Sequence, residues 1–253
     1  MLVLLALALV AASVVSAPDL AHAQPTPNRA AEYTADERPW LRCGIEQALD
    51  VDFEGTGRLY RAEWRRCGPR QAEWKADGKT IDYPTHYVTV ARYGAAPTPL
   101  VVFDNAADHS LTYIQSVRRM QFTGDGRQQF VVVTGIYGTG AAWDLCALGL
   151  INGTLTCWKL PDWGPAMAPL LAADEESWKS LLISVTDDRL LVEALIYDRN
   201  HDPNCCPGRG SIFVELRPGD GRFDLGRVWR VSPSSDWLGT TGAERYPGAN
   251  VAL

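Results

Sequence analysis

The sequence has no surplus of basic residues and no familiar catalytic signature. Lys and Arg number 24 against 30 Asp and Glu in 253 residues, a net charge of −6. Nucleic acids and anionic membranes are bound by basic patches, so neither is expected as a partner. The motifs G-x-S-x-G, S-x-x-K and H-E-x-x-H and phosphate-binding glycine loops are absent as well. These absences leave most hydrolase mechanisms without support, and no cofactor is expected.

Long apolar runs are lacking too. The longest, Leu2–Val15, is shorter than the roughly 20 residues of a membrane-spanning helix. It leads into small residues, and Ala21-His22-Ala23 fits the A-x-A pattern of a signal-peptidase site, although no Lys or Arg precedes the run. We therefore predict a signal peptide over residues 1–23, a periplasmic or secreted protein, and no membrane insertion after cleavage.

The remaining chain divides into three parts that differ in composition and in hydrophobic pattern. Residues 24–39 are polar and contain prolines, which predicts a leader. Over residues 40–232 short apolar runs alternate with turn signals, including GDGR at 124–127 and 219–222, a rhythm typical of β-structure. Residues 233–253 lose this rhythm and are expected to form an irregular tail.

About eleven strands are predicted from the apolar runs. The run at 130–137 is apolar on both faces, which favours a central strand covered on both sides. The runs at 189–197 and 211–217 alternate apolar and polar residues, as half-buried antiparallel strands do. Short helices are predicted at 37–49 and 172–182. The expected fold class is all-β, an antiparallel sandwich or irregular barrel with one or two short helices.

A Pro-rich segment at 159–169 breaks the strand rhythm and is predicted to be a crossing or a boundary between two sub-modules. It contains Trp163, which together with Trp237 in the tail is the better surface candidate among nine tryptophans. The tryptophans that fall within predicted strands, and are expected in the core, are Trp143, Trp158 and Trp229.

Six cysteines, an even number in a chain predicted to be exported, indicate disulfides rather than free thiols. Cys43 and Cys67 both occur as RCG at the edges of short elements and are the first predicted pair. On a chain-entropy argument such a bridge contributes roughly 3 kcal/mol.

The hairpin LCALGLINGTLTCWKL carries Cys146 and Cys157. A type I′ turn at Asn152-Gly153 places Leu148 opposite Cys157, so the two cysteines lie on one face but diagonally. Because the Cβ atoms of a disulfide lie about 3.8 Å apart, a bond between them requires local twist or a register change.

Cys205 and Cys206 lie side by side in DPNCCPGRG, residues 202–210. Either the hairpin cysteines bond to each other and leave these two as a vicinal disulfide, or two bridges join this loop to the hairpin; both alternatives stay open. No metal site is predicted, because neighbouring cysteines rarely both reach one tetrahedral ion and the C-x₂₋₄-C spacing is absent.

The same loop, with the strand SIFVELR and the DG turn that follow it, resembles a D-P-x-C-C-P element of exported bacterial proteins whose function is largely unassigned. The resemblance covers Asp202 to Phe223, with Gly208 where Ser is common. It implies export and a β setting for the loop, and no activity.

Candidate catalytic residues occur in the segment DNAADHS, 104–110. Consecutive residues of an extended chain point to alternate sides, so Asp108, His109 and Ser110 do not converge as a triad. His109, or else His201, is a candidate general base with a carboxylate from elsewhere, and an exposed loop histidine is the simpler interpretation.

The stretch QFTGDGRQQFVVVTG resembles one unit of the FG-GAP type of β-propeller repeat, whose loop holds calcium. Only Asp125-Gly126 matches that loop, and Thr123 stands where an acid is expected. Calcium prefers six to eight oxygen ligands, so a plain hairpin turn with glycine at positive φ is the favoured interpretation.

The predicted function is that of an exported, disulfide-stapled β protein that binds an unidentified protein or small ligand in the cell envelope without catalysis. The alternative is a periplasmic hydrolase that uses loop carboxylates and a histidine, since a pair of carboxylates leaves no local motif. A carboxylate and a histidine that converge beside Trp163 or Tyr137 would favour the enzyme.

Overall fold

The computed structural model describes residues 38–73, 80–94, 99–105, 112–136, 143–200 and 208–232. These residues form twelve strands, one short α-helix and two 3-10 turns, which confirms the all-β prediction. The strands are β1 (Gly44–Val51), β2 (Tyr60–Glu73), β3 (Thr80–Arg92), β4 (Leu100–Asp104), β5 (Thr112–Met120), β6 (Gln129–Ile136), β7 (Trp143–Ile151), β8 (Thr154–Cys157), β9 (Glu175–Thr186), β10 (Arg189–Asp198), β11 (Ser211–Pro218) and β12 (Phe223–Val231). The helix α1 is Gly164–Met167, and the 3-10 turns are Pro39–Arg42 and Ala168–Leu170.

The strands form three four-stranded antiparallel sheets, each a simple meander of consecutive strands. Sheet 1 contains β1 to β4, sheet 2 contains β5 to β8 and sheet 3 contains β9 to β12. The Pro-rich segment predicted as a crossing contains α1 and connects β8 of sheet 2 to β9 of sheet 3.

The sheets are stacked with sheet 2 in the middle. Phe130 and Val132 of β6 pack into the core shared with sheet 1, whereas Val131 and Val133 pack into the core shared with sheet 3. Because side chains alternate along a strand, one strand can supply two cores. The prediction that the run at 130–137 lies centrally and is covered on both faces is confirmed.

Both predicted helices are wrong. Only the 3-10 turn Pro39–Arg42 forms in the first segment, and β1 follows it and pairs with β2. In the second segment β9 begins at Glu175 and pairs along β10. Intrinsic helix propensity differs by only about 0.7 kcal/mol between ordinary residues, so ladder hydrogen bonds and core packing override it.

A disulfide joins Cys43 to Cys67 with a Cα–Cα distance of 4.4 Å, as predicted. It ties the chain at the end of the first 3-10 turn to β2. Beside it Trp40 packs on Tyr87 of β3, with ring centroids 6.2 Å apart, in a small third core on the outer face of sheet 1. The N-terminal end of the described chain is thus fixed to sheet 1.

A second disulfide joins Cys146 to Cys157, so the hairpin cysteines bond to each other and not to the double-cysteine loop, whose Cys205 and Cys206 lie outside the described residues. The turn has φ of 50° at Asn152 and 78° at Gly153, and Leu148 pairs with Cys157, which is the predicted register. The cysteines are therefore diagonal, yet their Cα atoms are 5.0 Å apart. The ladder of β7 and β8 ends at Leu148 and Cys157 on the edge of sheet 2, where the twist between neighbouring strands brings the diagonal pair together.

Candidate functional site

The turns between the first two strands of the three sheets meet at one corner. We call this the turn corner and define it as residues 52–58, 121–128 and 186–188. Gln128 donates its backbone N–H to the carbonyl of Asp52 at 2.8 Å, and its side-chain oxygen accepts the Asp52 N–H at 2.9 Å. The N–H of Gln121 donates to the carboxylate of Asp187 at 2.9 Å. Equivalent turns therefore connect sheet 1 to sheet 2 and sheet 2 to sheet 3.

Two of these turns are copies of one pattern, F-x-G-x-G-R, at 53–58 and 122–127. Their glycines have matching conformations, with φ of 69° and 80° in the first and 67° and 88° in the second. Phe53 and Phe122 are buried, each in a different core. Sequence reasoning considered only the second copy, although the spacing of the phenylalanine, glycines and arginine shows both.

The acidic residues of the turn corner are engaged within the turns. Asp52 accepts backbone N–H groups from the three residues Glu54, Thr56 and Gly57 at 3.2, 3.2 and 2.6 Å. Asp125 accepts the Thr123 hydroxyl at 2.5 Å, which with Arg127 lowers the pKa of its carboxyl to about 2. The positive φ of the glycines confirms the hairpin interpretation of GDGR at 124–127. Among the residues that the structure describes, no three His, Cys, Asp or Glu side chains are arranged to hold a metal.

The segment DNAADHS is described only at its start, and Asp108, His109 and Ser110 lie outside the described residues. Asn105 is completely buried. Its side chain accepts the His86 N–H at 2.8 Å and donates to the carbonyls of Pro84 and Thr112 at 3.2 and 2.9 Å. Asn105 therefore ties β3 to β5, a structural role that sequence reasoning did not assign.

A buried histidine that sequence reasoning missed lies on β3. The indole N–H of Trp64 donates to Nδ1 of His86 at 3.1 Å, so the neutral ring carries its proton on Nε2. Burial, helped by the charge of Arg66, lowers the pKa of His86 to about 4. The imidazole is thus uncharged at neutral pH.

Asp144, at the start of β7, is a half-buried acid whose pKa is shifted in the opposite direction from that of Asp125. Burial raises its pKa to about 6, although the backbone N–H of Leu145 donates to it at 2.7 Å. A carboxyl that titrates near neutrality is able to act as a general acid or base. It follows the glycine-containing loop YGTGAA, whose residues 137–142 lie outside the described part of the chain.

The double-cysteine loop is anchored at its base, and Cys205, Cys206 and His201 themselves lie outside the described residues. Arg209 forms ion pairs with Asp198 and, at 3.2 Å, with Asp174. Backbone pairing continues to this point, since the N–H of Ile196 donates to the carbonyl of Gly210 at 3.1 Å. The two ends of the loop are thereby held together.

Behind this base lies a bidentate ion pair. Arg230 of β12 donates to the two carboxylate oxygens of Glu175 at 2.7 and 2.8 Å, and the Glu175 side chain is 4% exposed. The guanidinium hydrogen bonds lower the pKa of Glu175 to about 2. Arg230 also donates to the carbonyl of Arg209 at 3.2 Å. We call Asp174, Glu175, Asp198, Arg209 and Arg230 the loop-base clamp.

The tryptophans do not form an open platform within the described residues. Trp163, predicted at the surface, is 6% exposed and stacks on Trp143 at a centroid distance of 6.2 Å, because the Pro-rich crossing folds back onto sheets 2 and 3. Trp158 is buried as predicted, while Trp229 is half-buried and stacks on Phe213 at 5.5 Å. Trp237 lies outside the described residues.

Comparisons with known proteins give no relative. No family, no curated protein and no solved structure matches the chain. Of the helices in the described ranges, none has the length and apolar character needed to cross a membrane.

Proposed function

We propose that the protein is exported and acts without catalysis, as a binding or envelope protein whose loops are held by disulfides. The observation that carries this proposal is that the buried polar groups have structural partners. Asn105 and Glu175 each join one part of the chain to another. The two disulfides, formed in a β-rich chain, support an oxidising compartment.

Within this proposal Cys205 and Cys206 bond to each other, and the D-P-x-C-C-P loop is the surface presented to a partner. The other four of the six cysteines are paired among themselves, which leaves these two together. The loop-base clamp supports the same role, since a loop whose ends are fixed loses less entropy on binding.

Export and the third disulfide are tested on the mature protein. Residues 1–23 fused to an alkaline phosphatase that is active only outside the cytoplasm should give activity, and a fusion that begins at Gln24 should give none. Peptide mapping of the unreduced protein by mass spectrometry should then show Cys205 linked to Cys206. Free thiols at both positions, or equal activity of the two fusions, would contradict the proposal.

The binding role is tested by photo-crosslinking in cells. A photoreactive phenylalanine replaces Asn200, an exposed residue beside the loop, and the control position is the exposed Thr154 of β8. We expect a discrete adduct from position 200 alone, and its loss when Cys205 and Cys206 are changed to Ala. An adduct that still forms after those changes would show that binding does not depend on the double-cysteine loop.

A hydrolase is the second candidate, and the raised pKa of Asp144 is the observation that favours it. A half-buried carboxyl whose pKa is raised to about 6 exchanges its proton close to neutral pH, which is a property of a general acid or base. If this candidate is right, the protein releases soluble fragments from isolated envelope material and Asp144→Asn abolishes the release. No release by the unsubstituted protein removes the hydrolase.

A further inference from the structure

The centre of the outer face of sheet 3 is buried, although the described residues of sheets 1 and 2 pack only on its other face. Val192 and Ala194 of β10 point into the shared core. On the face turned away from that core, four residues are only 3–4% exposed, Leu191, Glu193, Tyr197 and Phe213, whereas Leu181 and Val231 at the borders of this patch are 38% and 43% exposed. Alternation should leave such a face in water, as the sequence analysis expected for these strands.

The side chains of this face are engaged in contacts with one another and with further groups. Glu193 pairs across β11 with Phe213, which pairs with Trp229, so one row across the sheet carries a carboxylate and two rings. Glu193 accepts the Ser211 hydroxyl at 2.7 Å. Lys179, Glu193, Tyr197, Phe213 and Trp229 all take part in a further polar or ring contact. None of these side chains is without a partner, and the patch is therefore covered.

We propose that the cover is the C-terminal segment 233–253, laid across the outer face of sheet 3 with Trp237 and Leu238 against Phe213 and Trp229. The segment starts at the right place, because β12 ends at Val231 and Val231 pairs with Ser211 on this same face.

The segment is also long enough. The 22 residues after Val231 span up to about 70 Å when extended, at about 3.3 Å per residue. Four strands spaced about 4.8 Å apart need only about 15–20 Å. Even a folded-back path leaves residues to spare.

Other parts of the chain are placed less favourably. The leader enters at Arg38 beside the third core, on the outer face of sheet 1, so it would have to pass two sheet layers of about 10 Å each. The seven residues 201–207 of the double-cysteine loop are held at their base by the Arg209–Asp198 ion pair. Of these three segments, the C-terminal one follows directly on β12, whose Trp229 lies in the row with Phe213.

The test is hydroxyl-radical footprinting of the mature protein, read by mass spectrometry. In a variant that ends at Ser232 we expect the oxidation rates of Tyr197, Phe213 and Trp229 to rise at least fivefold, while Trp158 in the inner core stays unchanged. The melting temperature should fall by about 5–10 °C. A synthetic peptide of residues 233–253 should restore the original rates, and a scrambled peptide should not.

Two further variants keep the outcome decisive. If the truncated protein unfolds, so that Trp158 is oxidised too, the full-length double variant Trp237→Ala, Leu238→Ala decides: it should raise the three outer-face rates, and Thr240→Ala, Thr241→Ala should not. Unchanged rates in the double variant would overturn the proposal. So would the same exposure after deletion of residues 24–37, or protection that appears only as the protein dimerises.

Discussion

Gln128 of sheet 2 holds Asp52 of sheet 1 through a pair of hydrogen bonds, although 76 residues separate them. Gln128→Ala removes the side-chain acceptor and leaves the Asp52 N–H without it, so we expect the free energy of unfolding to fall by roughly 1–2 kcal/mol. Gln121→Ala is the matched control, because only the backbone of Gln121 bonds to sheet 3 and its side chain is exposed. Urea denaturation measures both; equal losses would deny the role of the Gln128 side chain.

Substitutions at Gly55 and Gly57 distinguish the cost of backbone strain from the cost of a steric clash. Both have positive φ, but a Cβ on Gly55 would lie 3.3 Å from the backbone nitrogen of Arg127, whereas a Cβ on Gly57 meets no atom within 4 Å. Gly57→Ala should cost about 1–2 kcal/mol, the strain of a left-handed residue, and Gly55→Ala about 2–4 kcal/mol because the turn corner must also open. Thermal unfolding compares them, and a Gly57 variant that is as unstable as the Gly55 variant would show that the turns do not pack together.

Asp144 should make the protein less stable at high pH. Its pKa rises from 3.8 to about 6 on folding, so the folded state holds the proton more tightly and stability falls as the pH increases between these values. Asn keeps an oxygen for the Leu145 N–H and carries no charge. Asp144→Asn should therefore be more stable by about 1–3 kcal/mol at pH 7.5, with no gain at pH 3.5.

The control for Asp144 is Asp162, an exposed carboxylate that also accepts a backbone N–H, from Gly164 at 2.9 Å. Asp162→Asn should show no pH-dependent gain. If both substitutions stabilise equally, general relief of negative charge is the cause and burial of Asp144 is not.

His86 should have the opposite pH dependence. Its pKa falls from 6.5 to about 4 on folding, so the unfolded state binds the proton more readily and stability is lost as the pH drops from 6.5 towards 4. The expected loss is about 2–3 kcal/mol over this range. NMR of the imidazole nitrogens, assigned with His86→Gln, should show an Nε2–H tautomer that titrates near pH 4. Titration near pH 6.5 would contradict the burial of this ring.

Strands whose neighbours along the chain are also their partners in the sheet could be predicted from the sequence. The alternation in β10 and β11 and the two apolar faces of β6 show both the strands and their orientation. Asn152-Gly153 gave the hairpin register correctly, because a two-residue turn leaves no freedom in pairing. The diagonal disulfide could not be predicted, because the spacing of residues along the chain does not indicate how strongly neighbouring strands twist.

The features that the sequence did not predict depend on partners that are far away along the chain. Glu175 suits the first turn of a helix when only its neighbours are considered, but its partner Arg230 lies 55 residues away. Asn105 and Gln128 likewise bond to residues that no local pattern indicates. His86 went unnoticed because a histidine inside a strand has no signature of its own; only its burial against Trp64 distinguishes it.

The alternation of β6 between two cores has a consequence for unfolding. Detaching sheet 1 would expose Phe130 and Val132, and detaching sheet 3 would expose Val131 and Val133, so loss of either outer sheet uncovers the strand on which the other depends. Three separate meanders could in principle melt one after another. Because both cores depend on β6, the three sheets form one cooperative unit. Heat or denaturant should therefore produce one transition, with coincident signals from both cores.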